Sequence, residues 1–103
     1  MADVRRWVSQ YTVTAVPGDY DEMDADLWDI TVEEARPGWD AWAVRRRKRC
    51  LSRDGSWDPE PIPSGRSEAF LDTHRFDLET ALRLAEAAAP DVTVNGMRAG
   101  DLR

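Results

Sequence analysis

Five consecutive cationic residues, Arg45-Arg46-Arg47-Lys48-Arg49, form the segment of this chain with the clearest capacity for chemistry. Guanidinium groups bind the paired oxygens of phosphates and carboxylates through two parallel hydrogen bonds. Residues 41–53 hold six bases and no acid, whereas residues 1–40 hold three Arg against ten acids and residues 54–103 five Arg against ten. The run therefore predicts either an anion-binding surface or a set of internal ion pairs.

The pattern of residues 39–51 favours one long strand, in which Arg45, Arg47 and Arg49 project from the same face about 7 Å apart. Neighbouring pairs then repel by about 0.6 kcal/mol in water. An odd-numbered preceding loop places Asp29 opposite Arg45 or Arg47, whereas an even-numbered loop places the arginines beside the apolar residues of the previous strand. Two interpretations stay open: a salt-bridged strand that protects a sheet edge, and a docking surface for phosphates or an acidic protein patch.

Tryptophans flank this basic run, and a surface of Trp and Arg is typical of binding hot spots. Trp39 and Trp57 lie next to the turn residues Gly38 and Gly55, where packing and partner contact are both open, while Trp42 is predicted to be in the core. The predicted partner-binding set is Arg45, Arg47, Arg49, Trp39 and Trp57.

The segment 19–26 concentrates carboxylates, namely Asp19, Asp21, Glu22, Asp24 and Asp26. It departs from the helix-loop-helix calcium pattern, which needs Gly at the sixth position and Glu at the twelfth, where this chain has Asp24 and Ile30. We expect no metal site here. The open interpretations are a solvated loop, an acidic docking surface and mimicry of a DNA phosphate backbone.

Catalytic chemistry has little support in the sequence. A single Cys50 excludes an internal disulfide, and together with the single His74 it excludes a zinc site built from Cys and His of one chain. The basic run before Cys50 would lower a thiol pKa, but a half-buried strand cysteine is the favoured interpretation. No nucleophile motif surrounds any Ser and no Gly-rich phosphate-binding loop is present, so we expect a noncatalytic protein without a cofactor.

The length, composition and charge of the chain limit the class of protein to which it can belong. A chain of 103 residues with 42% hydrophobic content and five Trp is predicted to be one domain with its own core. The net charge of -6 argues against a dedicated nucleic-acid binder, which needs a net basic footprint. Since no apolar run approaches the roughly 18 residues of a membrane span, we expect a soluble, cytoplasmic protein that does not bind a membrane.

Alternating apolar and polar residues predict strands at 7–16, 27–34 and 39–51. Residues 57–65 contain three Pro and are predicted to be a loop or an extended edge, while residues 66–76 favour a fourth strand over a short helix. A helix is predicted over 77–89 with Asp77 as N-cap, followed by a short strand at 92–94 and an Asn95-Gly96 turn.

These elements predict an α+β fold, in which a three- to four-stranded antiparallel sheet carries one main helix packed on one face. An exposed strand of such a sheet could also pair with its copy in a homodimer. The predicted core is Trp7, Trp28, Ile30, Val32, Trp42, Val44, Leu78 and Leu82.

The second half of the chain resembles small uncharacterised proteins of actinobacteria and their bacteriophages. The resemblance lies in residues 57–66, with the sequence WDPEPIPSGR, and in the segment from His74-Arg75-Phe76 to Asn95-Gly96-Met97. It implies an accessory product that acts on host machinery by binding, and it assigns a role to no single residue.

The sequence thus predicts a noncatalytic interaction protein, phage-encoded, that binds a host protein through the basic strand in the bacterial cytoplasm. Two alternatives remain. One is a nucleic-acid-associated protein that contacts phosphates through Arg45, Arg47 and Arg49, and the other is an acidic DNA mimic that uses residues 19–26.

Overall fold

The computed structural model describes residues 8–17, 26–36 and 38–102. An antiparallel sheet of five strands, in the order β1-β2-β3-β4-β5, forms the centre of this part of the chain, and a two-stranded sheet follows near its end. The strands are β1 (Gln10–Val13), β2 (Ile30–Glu34), β3 (Trp42–Arg46), β4 (Arg49–Leu51), β5 (Trp57–Pro59), β6 (Thr93–Val94) and β7 (Met97–Arg98). The helices are α1 (Glu68–His74) and α2 (Leu78–Ala88), with single 3-10 turns at Asp26–Trp28, Pro63–Gly65, Ala89–Asp91 and Ala99–Asp101. The predicted α+β class is confirmed, with five strands rather than three or four in the main sheet.

One face of the main sheet carries the core. Val32 pairs with Tyr11 on one side and with Val44 on the other, so side chains of the same parity on β1, β2 and β3 point towards α2. The residues that this face and α2 bury together include most of the predicted core. They are Trp28, Ile30, Val32, Trp42, Val44, Leu51, Phe76, Ala81, Ala85, Ala89, Val92 and Ala99, with Leu78 and Leu82 packed against them. The predicted core residue Trp7 lies outside the described residues.

The opposite face of β3, β4 and β5 is covered by α1 and the Pro-rich segment before it. Ala43 and Cys50 point to this face, and both are fully buried. The Cys50 thiol lies 3.8 Å from the carbonyl oxygen of His74, the last residue of α1. The sheet is therefore covered on both sides along much of β3 and β4, and polar groups on this second face need partners.

The prediction of a single strand over 39–51 is wrong. Arg46 pairs with Arg49 across a two-residue turn, so the chain reverses in the middle of the basic run and forms the β3-β4 hairpin. Arg47 adopts a φ of 59° in this turn, a conformation that glycine and asparagine usually supply. The sequence lacks those residues here, which is why its pattern reads as one continuous strand.

The predicted strand over 66–76 is also wrong, because residues 68–74 form α1. Ser67 is its N-cap, and its hydroxyl accepts a hydrogen bond from the Phe70 amide at 3.1 Å. Glu68 then places a carboxylate in the first turn, where the helix dipole stabilises it. These local interactions outweigh the strand preference of Phe70 and its neighbours.

The main helix is confirmed, although its first amide is capped differently from the prediction. Asp77 occupies the N-cap position, but its side chain makes no capping hydrogen bond. Asp40, from the β2-β3 connection, accepts instead from the Leu78 amide at 3.0 Å and from the Trp42 indole at 3.1 Å. One carboxylate oxygen thus fixes the helix start against β3.

Other boundaries shift by a few residues. The first two strands begin at Gln10 and Ile30, and the residues just before Ile30 form a 3-10 turn that buries the Trp28 side chain. Residues 57–59 form the edge strand β5, which agrees with the extended-edge option for the Pro-rich segment. The predicted Asn95-Gly96 turn joins β6 to β7, with φ values of 52° and 80°.

Candidate interaction surface

The β3-β4 hairpin divides the basic run between the two faces of the sheet. Arg45 points to the face covered by α1, whereas Arg46 and its partner Arg49 point to the face that carries α2, and Arg47 and Lys48 form the exposed turn. We refer to Arg46, Arg47, Lys48 and Arg49 as the cationic tip. The predicted row of three arginines on one face therefore does not exist.

Arg45 is neutralised within the fold. Its guanidinium lies 2.7 Å from the Glu60 carboxylate and 3.5 Å from that of Glu33. Burial lowers the pKa of Arg45, but the hydrogen bond and charge of Glu60, together with the charge of Glu33, outweigh burial and leave the pKa above its ordinary value. The structure therefore follows the salt-bridge interpretation for this arginine, with Glu33 and Glu60 in place of the predicted Asp29.

Glu60 contacts two further arginines. Its carboxylate lies 2.8 Å from the Arg75 guanidinium and 3.3 Å from that of Arg66. Burial raises the pKa of Glu60, but hydrogen bonds and charges from Arg45 and Arg75 reverse that effect and lower it overall. We call Glu33, Arg45, Glu60, Arg66 and Arg75 the Glu60 cluster. Its side chains are 10% to 31% exposed, so it acts as a structural ionic contact between β2, β3 and the segments on either side of α1.

Arg46 has a different environment from its neighbour Arg45. Its Nη2 donates to the carbonyl oxygen of Leu27 at 2.9 Å and to that of Thr93 at 3.5 Å, while its buried Nε has no hydrogen-bond partner. Burial and the charge of Arg47 lower the pKa of Arg46. This guanidinium is thus partly desolvated, and no carboxylate in the described part of the chain forms an ion pair with it.

The rest of the cationic tip is exposed. Arg49 donates to the Trp57 carbonyl oxygen at 3.4 Å, which leaves the rest of its guanidinium available. In the part of the chain that the structure describes, none of Arg46, Arg47, Lys48 and Arg49 forms an ion pair with a carboxylate. The tip is a local positive region on an acidic chain.

The two candidate tryptophans lie in different places. Trp57 is half-buried beside Arg49, and its side chain packs against the core. Trp39 is 58% exposed and stacks under Arg36, with the guanidinium 3.8 Å from the ring centroid. It precedes β3, at the end of that strand opposite the tip. The structure therefore groups Trp57 with Arg49 and separates Trp39 from them.

A second polar cluster surrounds an open cavity of about 450 Å³ beside α1. Asp58 accepts from the Ser56 hydroxyl at 3.3 Å and lies 2.8 Å from His74 Nε2, while His74 Nδ1 lies 2.8 Å from the Phe70 carbonyl oxygen. Asp58 thus stands between the serine and the histidine. A nucleophilic triad needs the imidazole in that central position, so this order of contacts fits a structural hydrogen-bond chain.

Asp54 belongs to the same cluster. The hydroxyl of Ser52 and then that of Ser56 donate to its carboxylate, and these hydrogen bonds lower the pKa of Asp54 to about 2. The Ser56 amide donates to the same oxygen at 3.0 Å. The carboxylate and the two hydroxyls therefore stabilise the turn between β4 and β5.

Cys50 is a buried strand residue. Its thiol accepts from Arg75 at 3.6 Å, yet burial raises the pKa of the Cys50 thiol more than the charges of Arg75 and Arg45 lower it. A buried thiol with a raised pKa is a poor nucleophile, which agrees with the favoured sequence interpretation.

The predicted acidic loop lies almost entirely outside the described residues. Of its members Asp19, Asp21, Glu22, Asp24 and Asp26, only the backbone of Asp26 is described, at the start of a 3-10 turn. Among the residues that the structure describes, no three His, Cys, Asp or Glu side chains are close enough to hold a metal ion. Within the same residues, no helix has both the length and the apolar character needed to cross a membrane.

Comparisons of the chain with protein-family models, with curated proteins and with solved structures found no match. Function therefore has to be inferred from the geometry of the chain itself.

Sequence reasoning missed two functional features. It grouped Arg49 with Arg45, because the turn after Arg46 reverses the parity expected for a single strand. It also gave no role to Glu60, Arg66 and Arg75, which come together only after α1 folds back on the sheet. The Ser67-Glu68 pair is the local signal that could have revealed α1.

Proposed function

We propose that this chain is a noncatalytic interaction protein that docks onto an acidic patch of a partner protein through the cationic tip. The observation that carries this proposal is the contrast along the basic run. Arg45 has two carboxylate partners, whereas the four cations after it have none in the described part of the chain. Unpaired arginines beside a half-buried tryptophan are the composition of an interface hot spot.

The charge of the chain as a whole supports a protein partner over nucleic acid. The net charge is -6, and Asp91 lines the same cavity as Arg46 and Arg49. A phosphate backbone bound at this cavity would lie near the Asp91 carboxylate without a hydrogen-bond donor for it, whereas a polypeptide can donate its backbone amides. We extend the proposal to a bacterial host protein as partner and to a phage-encoded chain acting in the cytoplasm, which sequence resemblance alone supports.

The test is affinity capture from an actinobacterial lysate, with and without nuclease. The wild-type chain should retain the same proteins after nuclease treatment, and the double variant Arg47→Glu/Lys48→Glu should lose them. Both residues are exposed. The free energy of unfolding of this variant, measured in urea, should therefore equal that of the wild type to within about 0.5 kcal/mol.

The matched control is Arg53→Glu/Arg83→Glu, which makes the same charge change at exposed arginines outside the tip. Equal loss of capture in both variants would show that only net charge matters and would refute docking through the tip. Capture that disappears with nuclease would instead support the nucleic-acid alternative.

A further inference from the structure

Two adjacent cavities next to the cationic tip differ in chemical character. The first, of about 190 Å³, is lined by Arg46, Arg49, Trp57, Asp91, Val92 and Thr93. The second, of about 240 Å³, is lined by Leu51, Gly55, Trp57, Leu84, Ala87, Ala88 and Asp91. Because both include Trp57 and Asp91, they form one continuous surface. Together they exceed the roughly 300 Å³ at which ligand pockets begin.

The first cavity favours a carboxylate. Arg46 lines this cavity, and its Nη2 donates to two backbone carbonyls without a carboxylate partner among the described residues. Arg49 donates one nitrogen to the Trp57 carbonyl, and its exposed side chain lines the same cavity. An incoming carboxylate would compensate both charges in a partly desolvated site, where such a contact is stronger than on an open surface.

The second cavity favours an apolar group. Leu51 is 2% exposed and forms its floor, and Leu84 and Ala88 from α2 are half-buried members of the core. Ala87, on the outer side of α2, completes the wall with a methyl group only. An alkyl side chain placed here would be removed from water, which favours binding.

Asp91 restricts the kind of ligand. Asp91 lines both cavities, and its carboxylate pairs with Arg98 at 2.8 Å. A peptide can donate a backbone amide to Asp91 while its own carboxylates reach the arginines. Side chains two positions apart on an extended peptide point the same way, about 7 Å apart, which suits two adjoining cavities.

We propose that this surface binds an extended acidic peptide segment, with an apolar side chain in the second cavity and a carboxylate two residues away on Arg46 and Arg49. This inference rests on the proposed function and deepens it by naming the partner motif. The partner therefore carries a short motif in which Asp or Glu flanks one apolar residue. The motif lies in a segment that can adopt an extended conformation.

The direct test is an NMR titration of the full ¹⁵N-labelled chain with the capped peptide Gly-Asp-Ser-Leu-Ser-Asp-Gly. The Trp57 indole N–H and the Arg49 amide should shift and saturate. Replacing Leu by Ser, or both Asp by Asn, should each raise Kd by at least about fivefold. An absence of saturable shifts at these two groups would overturn the inference.

Variants locate the apolar contact. Ala87→Glu places a carboxylate in the apolar wall on an exposed helical position, so the chain should fold normally and bind the peptide at least about fivefold more weakly. Ala69→Glu makes the same change on the exposed side of α1 and should leave Kd unchanged. Equal Kd values for the two variants would refute the second cavity as the apolar site.

A thymidine trinucleotide, which carries two phosphodiester charges to match the two Asp, separates the ligand classes. Weaker binding than the peptide supports the proposal, and tighter binding overturns the peptide assignment. If the Leu-to-Ser peptide binds as well as the original while the tip double variant still loses its captured proteins, the motif fails and docking through the tip stands.

Discussion

Arg45 and Arg46 are consecutive residues with opposite environments. Arg45 enters the Glu60 cluster, where two carboxylates compensate its charge, whereas Arg46 belongs to the cationic tip and, among the described residues, donates hydrogen bonds to two backbone carbonyls and to no carboxylate. Alternation along β3 separates them, and the turn after Arg46 then returns Arg49 to the same side as Arg46. Of these two neighbours, Arg45 belongs to a cluster of ion pairs within the fold, and Arg46 belongs to the surface that we propose for docking.

The largest expected effect is on the Glu60 cluster. Glu60→Gln keeps the shape of the side chain but leaves Arg45, Arg66 and Arg75 without the carboxylate that they share. We expect the free energy of unfolding to fall by about 2–3 kcal/mol, because part-buried guanidinium groups then lack compensation. Urea denaturation measures this loss. The same change at the exposed Glu86 on α2 should cost under about 0.5 kcal/mol, and equal losses would contradict a structural role for the cluster.

The cluster should also give the chain an acid-sensitive stability. The pKa of Glu60 lies below its ordinary value of 4.5 in the folded chain. Its contribution is therefore fully present above about pH 4.5 and is lost as the pH falls through the folded-state pKa. Denaturation at several pH values should give a shallower acid slope for Glu60→Gln than for the wild type. Both should carry Asp54→Asn, which removes the second carboxyl with a lowered pKa, and equal slopes would contradict the assignment.

A direct comparison of the neighbouring arginines gives a smaller effect. Arg45→Met removes a charge with two carboxylate partners and should lower the free energy of unfolding by about 1–2 kcal/mol. Arg46→Met keeps the apolar stem and removes a desolvated charge without a carboxylate, so we expect a change within about 0.5 kcal/mol. The difference between the urea denaturation midpoints of the two variants measures this contrast in stability. A larger loss for Arg46 would mean that its carbonyl contacts dominate.

The smallest expected effect concerns the turn of the tip. Arg47→Gly relieves a positive φ and should raise the free energy of unfolding by about 0.5 kcal/mol. Lys48→Gly, at a residue without a positive φ, should lower it by a similar amount because glycine gains freedom in the unfolded chain. Thermal unfolding of both variants measures the difference. The same direction of change in both would contradict strain at Arg47.

The sequence predicted those parts of the fold that depend on local periodicity. Alternation located β2, the apolar stripe located α2, and Asn95-Gly96 located the last turn, since each signal acts over a few residues. The β3-β4 turn escaped prediction because neither central residue favours a positive φ. Helix α1 escaped because Phe70 and Leu71 fit either element.

Only the residue types of the candidate site could be predicted from the sequence. The basic run and Trp57 were identified from residue type, but the grouping of Arg49 with Arg46 instead of with Arg45 depends on the turn between β3 and β4. The Glu60 carboxylate reaches Arg75, fifteen positions later in the sequence, only after the residues between them have folded into a Pro-rich segment and a helix. Contacts between residues far apart in the sequence produce no periodic pattern from which they could be predicted.

The order of the main sheet has a consequence for how quickly the chain folds. Because each strand from β2 to β5 pairs with the next strand in sequence across a connection of at most seven residues, each of these steps closes a short loop and loses little chain entropy. Low contact order of this kind goes with rapid folding for a sheet protein, so a chain made on the ribosome can complete β2 to β5 before its C-terminal helix emerges. The backbone pairing of Trp42 with Phe76 then forms late in synthesis.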